Sequence, residues 1–304
     1  MSESASAHRT GFVSIAGRPN AGKSTLLNAL IGEKLAITAR QPQTTRTSVQ
    51  GVLTTPDAQV IFVDTPGIHK SDTLFNQRMM QTVRSALEAR DLVLFVADAT
   101  RPIDEEDRNA IGVLKHSDKA LLVLNKIDRV TDKRLVLPLM EEYSRLHEFL
   151  EVLPVSASKK NGLDELRRAI IKYLPEGPPL FPEDYLTDQP MRFLAAEIIR
   201  EKILRVAHQE VPHAVAVIID RWEEKPRLTR IAATIHVERP GQKSILIGTK
   251  GEVMKKIGTE ARQELEKVVN TKVFLELFVK VKKNWRDDPA FLNSIDWRAM
   301  VGSE

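Results

Sequence analysis

Cysteine is absent from all 304 residues. That excludes disulfides and thiolate-bound metals, and a reducing interior becomes the expected home. The first nine residues, Met1 to Arg9, are small and polar. They lack the apolar centre of a secretory signal, so 1–9 reads as a loose tail. Long hydrophobic runs are missing too. Leu92–Ala97 and Ala120–Leu124 are strand-sized and far short of the roughly 20 residues that cross a bilayer. A cytoplasmic protein is expected, with any membrane contact peripheral. His208, His213 and His236 do not have metal-ligand spacing and read as packing or surface residues. No long internal repeat is visible.

What is present is ordinary in bulk, with 28% charged and 42% hydrophobic residues over a length that allows two domains. The net charge of +4 is uneven. Met191 to Asn284 holds 19 Lys/Arg against 12 Asp/Glu, while the remainder is slightly acidic. A basic second half suits a polyanionic partner, although a solvated basic surface would look the same.

The chain is organised around Gly17-Arg18-Pro19-Asn20-Ala21-Gly22-Lys23-Ser24 and the following Thr25, between an apolar run and a helix-like segment. This is the G-x-x-x-x-G-K-[ST] spacing. The glycines let backbone N–H groups wrap a polyphosphate, Lys23 adds a charge at the β/γ-phosphates and Ser24 holds Mg²⁺. From 10 to 174, apolar runs mostly alternate with amphipathic stretches. Strands are expected near Phe12–Ala16, Val49–Thr54, Val60–Val63, Leu92–Ala97, Ala120–Leu124 and Glu151–Val155. Helices are expected near Lys23–Ile31, Leu74–Glu88, Asp104–Leu114, Asp132–Phe149 and Leu163–Tyr173. The order predicts an α/β domain, a mixed and mostly parallel sheet with helices on both faces. Two successive strands at 48–64, turning at Thr55-Pro56-Asp57, form the exception.

Motifs follow at the carboxyl ends of these strands, where open α/β sheets bind ligands. Asp64-Thr65-Pro66-Gly67 offers a carboxylate for Mg²⁺ and an unhindered N–H for a γ-phosphate. Asn125-Lys126-Ile127-Asp128 offers a brace (Asn125), a stem to cover a base (Lys126), and a carboxylate that accepts from N1–H and the 2-amino group of guanine. A site built for those donors rejects adenine, which leaves an ATPase as the weakest alternative. Ser156-Ala157 follows the sixth strand, where the Ala157 N–H can meet guanine O6. In the polar loop Gln41-Pro42-Gln43-Thr44-Thr45-Arg46, a threonine can complete Mg²⁺ coordination when a triphosphate is bound. Thr45 is the first choice and Thr44 the second. Lys23, Thr45, Asp64 and Gly67 are the candidate catalytic residues.

These segments, in this order, resemble translation-factor-related GTPases over about 165 residues, and in detail the Era family. The resemblance implies a Mg²⁺-dependent GTPase switch. One departure from Ras-like proteins matters: the residue after Gly67 is Ile68, which cannot orient a water as glutamine does, so slow turnover is expected. In relatives with asparagine at the position of Asn20, that side chain helps hold potassium against the phosphates, so K⁺-stimulated hydrolysis is expected by resemblance.

Pro175, Pro178, Pro179 and Pro182 mark 175–189 as a linker. Within it, residues 181–188 resemble the connection of the Era family, whose aromatic and leucine residues are expected to pack domains together. A helix (Met191–His208), two strands (Ala214–Asp220 and Ile231–Val237) joined by a charged connection, a long helix (Glu252–Val269) and a strand (Thr271–Lys282) then predict an α+β domain over 190–284. Apolar Ile245-Leu246-Ile247 leads into Gly248-Thr249-Lys250-Gly251, where two glycines admit a nucleic-acid backbone and Lys250, Lys255 and Lys256 favour phosphate. Phe274 and Phe278 fall on the outward face of the last strand, among charged residues.

The region resembles a type II KH domain, which grips about four nucleotides of single-stranded RNA. The resemblance implies a monomer that binds the 3′ end of 16S rRNA and acts in 30S subunit assembly. Two other classes compete: a membrane-associated signalling GTPase, and a non-catalytic RNA-binding scaffold. Residues 285–304, with Trp285 and Trp297, form a tail without an assigned role.

Overall fold

The computed structural model describes residues 8–39, 44–68, 73–88, 90–115, 119–207 and 214–297. The expected switch-loop residues Gln41, Pro42 and Gln43, the tail residues 1–7 and 298–304, and His208 and His213 lie outside the described residues. The chain divides into two compact units. One holds most of the chain up to Asp188, and the other runs from Gln189 onward and also takes in residues 37–39, 44 and 73–77.

In the first unit, β1 (Arg9–Ala16), β2 (Val49–Thr54), β3 (Ala58–Asp64), β4 (Leu92–Asp98), β5 (Ala120–Asn125) and β6 (Glu151–Pro154) form one sheet in the order β2-β3-β1-β4-β5-β6. Only β2 runs antiparallel, as the expected hairpin with β3. Parallel central strands must be apolar on both sides, and β4 shows how. Leu92, Leu94 and Val96 enter a core with Leu26 and Leu27 of α1 (Lys23–Ile31) and Leu166 and Ile170 of α5 (Leu163–Tyr173). Val93, Phe95 and Ala97 enter the opposite core, with Val83 and Leu87 of α2 (Leu74–Glu88), Ala110 and Ile111 of α3 (Glu105–Ile111) and Tyr143 of α4 (Val136–Leu146).

Three expectations need adjustment here. β1 starts earlier, at Arg9, because Arg9 N–H donates to Asp57 O and its guanidinium donates to Leu174 O. The helix expected over 104–114 is shorter at both ends, with Asp104 as its N-cap, its carboxylate accepting from Asp107 N–H. The one expected over 132–149 opens as a 3₁₀ turn (Lys133–Leu135) and its α-helical part stops at Leu146. The proline-rich segment is strapped to this unit. Gln59 Oε1 accepts from the N–H groups of Leu180 and Phe181, Leu186 O accepts from Val52 N–H, and Phe181 stacks on Tyr185 at 4.7 Å.

In the second unit, α6 (Met191–Val206) is followed by β7 (Ala216–Lys225), β8 (Leu228–Val237), α7 (Pro240–Ile247), α8 (Glu252–Val269) and β9 (Lys272–Val281). The sheet order is β7-β8-β9, with β7 antiparallel and β9 parallel to β8. Ile198, Ile199 and Ile203 of α6, with Ile257, Ala261 and Leu265 of α8, close over Ile231, Ala233 and Ile235 of β8.

The charged connection expected after Asp220 is itself strand: β7 runs on to Lys225, with a bulge between Ile219 and Arg221, because one face of this antiparallel pair meets solvent and accepts charge. α7 was not anticipated. Pro240 stands at its first turn, where a missing N–H costs nothing, and the Gln242 side chain reaches back to the N–H of Arg239. The described part of the stretch read as a tail, 285–297, is built into the fold. Trp285 is fully buried, and α9 (Pro289–Ile295) buries Phe291 and Leu292. Among the described residues no helix is long and apolar enough to cross a membrane.

Candidate nucleotide site and nucleic-acid groove

Parallel pairing places the carboxyl ends of β1, β3, β4 and β5 along one edge of the sheet, and the motifs meet there. Gly22 has φ +96, and a Cβ on it would collide with the Asn125 amide. Gly67 is forced by proximity instead, since its Cβ would stand 2.8 Å from the backbone of Pro19. Thr65 Oγ donates to Ile15 O at 2.9 Å and so ties the Asp64–Gly67 turn to β1.

Lys23 is only 6% exposed. Its ammonium donates to the carbonyls of Gly17 (3.1 Å) and Arg18 (2.9 Å), and burial pushes its pKa down to about 8 against the pull of Asp64. Ser24 Oγ donates to Asp64 Oδ2 at 2.7 Å, Thr45 Oγ1 donates to the same oxygen at 3.1 Å, and the two hydroxyls are 2.7 Å apart. Asp64 is fully buried, and burial raises its pKa although Lys23 and the two hydroxyls work the other way. Its Oδ1 is buried without a hydrogen-bond partner.

A buried carboxylate oxygen left over beside two hydroxyls is the donor set of a hard divalent cation, so these residues fit Mg²⁺. A phosphate oxygen can likewise replace the carbonyls that hold Lys23. Thr45, the first choice of the two threonines, lies in this cluster, whereas Thr44 falls with the second unit.

The base end is equally connected. Asn125 is buried; its Nδ2 donates to Ala21 O at 3.0 Å, and its Oδ1 accepts from Lys126 N–H (2.8 Å) and Ala157 N–H (3.0 Å). The donor expected to meet guanine O6 therefore bonds Asn125 here. Asp128 Oδ1 accepts from Ser156 Oγ at 2.6 Å, which holds the Asp128 carboxyl below its ordinary pKa. The result is an ionised carboxylate of fixed direction, suited to two N–H donors. Ile127 is half-buried and packs against the core on the α4 side of the sheet. Ile68 is buried in that same core, and its N–H donates to Gly17 O at 3.2 Å. Its side chain has no polar atom with which to hold a water. Asn20, the candidate potassium ligand, is exposed with φ 63, and its carbonyl accepts from Lys126 Nζ at 2.6 Å.

Two supports escaped the reading of the sequence: Asp98, and the acids that hold Arg18, a residue expected only as part of the phosphate loop. Asp98, at the end of β4, pairs with Lys126 Nζ at 2.6 Å and sets that stem in place. The signal was an acid directly after an apolar strand. Arg18 is gripped by Asp104 (3.1 Å), Glu106 and Asp107 (3.3 Å) at the start of α3, which fastens the loop to the next helix. Arg101 braces two of these carboxylates, Asp104 and Asp107.

In the second unit the Gly248–Gly251 loop turns left-handed at Gly248 (φ 71), Lys250 (φ 52) and Gly251 (φ 80), and it caps α8 without a side-chain hydrogen bond. Glu252 N–H donates to Thr249 O within the loop, and Lys250 stands exposed at the positive end of α8. Beside the loop runs a groove of about 620 Å³ between α7, α8 and β9, floored by Met254, Leu275 and Leu277. Its cations are Lys243, Lys255 and Arg262. Lys256 does not line it, since one helical residue turns a side chain about 100° from its neighbour. Lys255, Thr259 and Arg262 do, and their i, i+4, i+7 spacing was the signal for Arg262. Thr249 and Lys250 stand exposed at its mouth.

A P-loop GTPase joined to a KH RNA-binding module is the class that this fold and these two sites define. The family model described as a 50S ribosome-binding GTPase matches residues 12–126, and that of the KH domain matches 210–286. GTPase Era of Geobacter metallireducens is 49% identical over 292 residues, covering 95% of this chain and 98% of that protein. The chain belongs to the GTPase Era family. The Lactobacillus delbrueckii member is 47% identical over 294 residues, covering 96% and 97%. Two solved structures superpose over 95% of this chain and 99% of theirs at 42% identity: an Aquifex aeolicus Era variant bound to GDP and AlF4⁻ (TM-score 0.91), and Era with MgGDPNP and nucleotides 1506–1542 of 16S ribosomal RNA (TM-score 0.92).

Proposed function

We propose that this chain binds GTP with Mg²⁺, hydrolyses it to GDP and phosphate, and uses its KH groove to hold the 3′ end of 16S rRNA during assembly of the small ribosomal subunit. The observation that carries the nucleotide half is the Ser24–Thr45–Asp64 cluster with its partnerless Asp64 oxygen, on the same sheet edge as an ionised Asp128. Lys23 and the N–H groups of the loop hold the phosphates. Ser24, Thr45 and Asp64 hold the metal, with Asp64 acting through a water. The metal supplies charge that stabilises the transferring phosphoryl group. With Ile68 buried, a water must be positioned by some group other than the side chain after Gly67, and unaided turnover is slow.

Asn20 adds a finer element to this proposal. Asn20 is exposed on the loop at φ 63, and in this proposal its amide helps bind K⁺, which shares the charge of the phosphates. Phosphate release from GTP, measured with Mg²⁺ in KCl and in NaCl on protein that also binds the 1506–1542 RNA fragment, tests both parts. Release several-fold faster in KCl is expected. Equal rates in the two salts would remove Asn20 from the potassium role. RNA binding without any phosphate release would leave the scaffold reading instead.

A further inference from the structure

The outward face of the second unit's sheet carries aromatic surface that neither site described above fully uses. β9 alternates strictly: Val273, Leu275 and Leu277 turn toward the helices, and Phe274 and Phe278 turn away. These two rings are 50% and 52% exposed. Four residues apart on one face, they stand roughly 13 Å from each other along the strand. A sheet face turned to solvent is ordinarily polar, and two large rings gain nothing from water. The chain covers the other end of this face itself, where α9 sets Phe291 edge-on to His236 at 4.9 Å and Lys282 Nζ lies 5.0 Å from the Phe291 ring. Among the described residues nothing comparable covers Phe274 and Phe278.

Their surroundings favour an anion-bearing partner with flat rings. Arg230, opposite Phe274 in the register, holds its guanidinium 5.8 Å from the Phe274 centroid. Lys272 and Lys280 extend the same face of β9, and Glu276 is its one carboxylate. Phe278 also lines the KH groove. A strand leaving the groove across β9 therefore meets Phe278 first and Phe274 next.

We propose that this face is a second RNA-contact surface, on which Phe278 and Phe274 stack unpaired bases lying beyond the few nucleotides that the groove holds, with Arg230 and Lys280 on the phosphates. The proposal rests on the KH reading above. The length of the RNA in the solved Era complex, nucleotides 1506–1542, against the roughly four that a KH groove grips, leaves ample chain to reach it. Aromatic platforms of this kind contribute sequence-tolerant affinity, and removing one ring costs on the order of tenfold per stacked base.

Phe274 gives the clean variant, because it is exposed and does not line the groove. The full-length protein, Phe274→Ala and Phe274→Trp are titrated with the 1506–1542 RNA, and with fragments trimmed to the shortest length that the unaltered protein still binds. Phe274→Ala should weaken the long RNA about tenfold without changing the salt dependence, leave the shortest fragment unaffected, and be rescued by Phe274→Trp. Unchanged affinity for the long RNA overturns the proposal and leaves the face to a protein partner. Equal loss on the shortest fragment overturns it too, because the effect would then act through the groove. A doubly altered loop, Thr249→Asp with Lys250→Asp, separates this from the underlying reading. If that variant leaves both RNAs bound as before, the KH groove assignment itself has failed.

Discussion

Asp128 decides which base the first unit reads. Its carboxylate is a two-lone-pair acceptor with its direction set by Ser156 Oγ and its charge maintained by that bond. Guanine presents two donors to it, and a hydrogen bond to a charged group contributes about 1.5–3 kcal/mol. Asp128→Asn replaces one acceptor oxygen with an NH₂ donor, which conflicts with the guanine 2-amino group and suits the 2-oxo group of xanthine. In competition against a fluorescent guanine nucleotide, the variant should lose GTP affinity by on the order of tenfold to a hundredfold and gain XTP binding. A variant that still prefers GTP would take Asp128 out of base recognition.

Most residues of this site were legible because phosphate, metal and base each demand a particular atom at a fixed place after a strand. Asp98 and the acids that grip Arg18 were not, because their partners are far off in sequence: Lys126 for Asp98, and Arg18 for the acids at 104–107. Only folding brings such charges together.

At the scale of elements, long amphipathic helices and two-sided strands could be read off directly, and α1, α2 and α5 match the expected limits. Shorter pieces fixed by tertiary partners could not. α7 has only eight residues, begins with Pro240-Gly241, and carries the exposed Ile245 and Ile247, the second of which lines the groove. α9 and Trp285 look like tail until the core that receives them is known; the Trp285 indole N–H donates to Ala214 O at 3.0 Å.

The loop between α7 and α8 can be tested as an element. Its left-handed turns need Gly248 and Gly251, but the exposed Thr249 and Lys250 are free to change without strain in the core. Converting both to Asp swaps one positive charge for two negative ones where phosphates approach the start of α8. The 1506–1542 RNA should then bind at least about a hundredfold more weakly, by the loss of a phosphate contact and the gain of repulsion. GTP affinity and melting temperature should be unchanged. RNA affinity that survives in a fluorescence titration would show that the loop does not grip the backbone.

For the molecule as a whole, the chain path matters more than either site. Residues 37–39 and 44 cluster with the second unit, whereas Thr45 belongs to the first. Within the second unit, Ile37 is buried in the α6–α8 core, and the fully buried Glu201 accepts from Thr38 N–H at 3.0 Å. The candidate metal ligand is thus covalently next to a segment with its own anchor in the RNA-binding unit.

When Mg²⁺ and a γ-phosphate engage Thr45, the backbone at Thr44 is constrained as well, and the two ligands become coupled through the chain. Coupling of 1–3 kcal/mol is typical of such systems and corresponds to about 5- to 150-fold in affinity. The 1506–1542 RNA should therefore bind with affinities differing by at least about fivefold between the GDP form and a non-hydrolysable GTP-analogue form. By thermodynamic reciprocity the RNA must shift the preference for the analogue over GDP by the same factor. Glu201→Gln, which weakens the acceptor for Thr38 without touching either ligand, should reduce that factor while leaving both separate affinities nearly intact. Identical RNA affinities in the two nucleotide forms would mean that the units act independently and that hydrolysis times some other step.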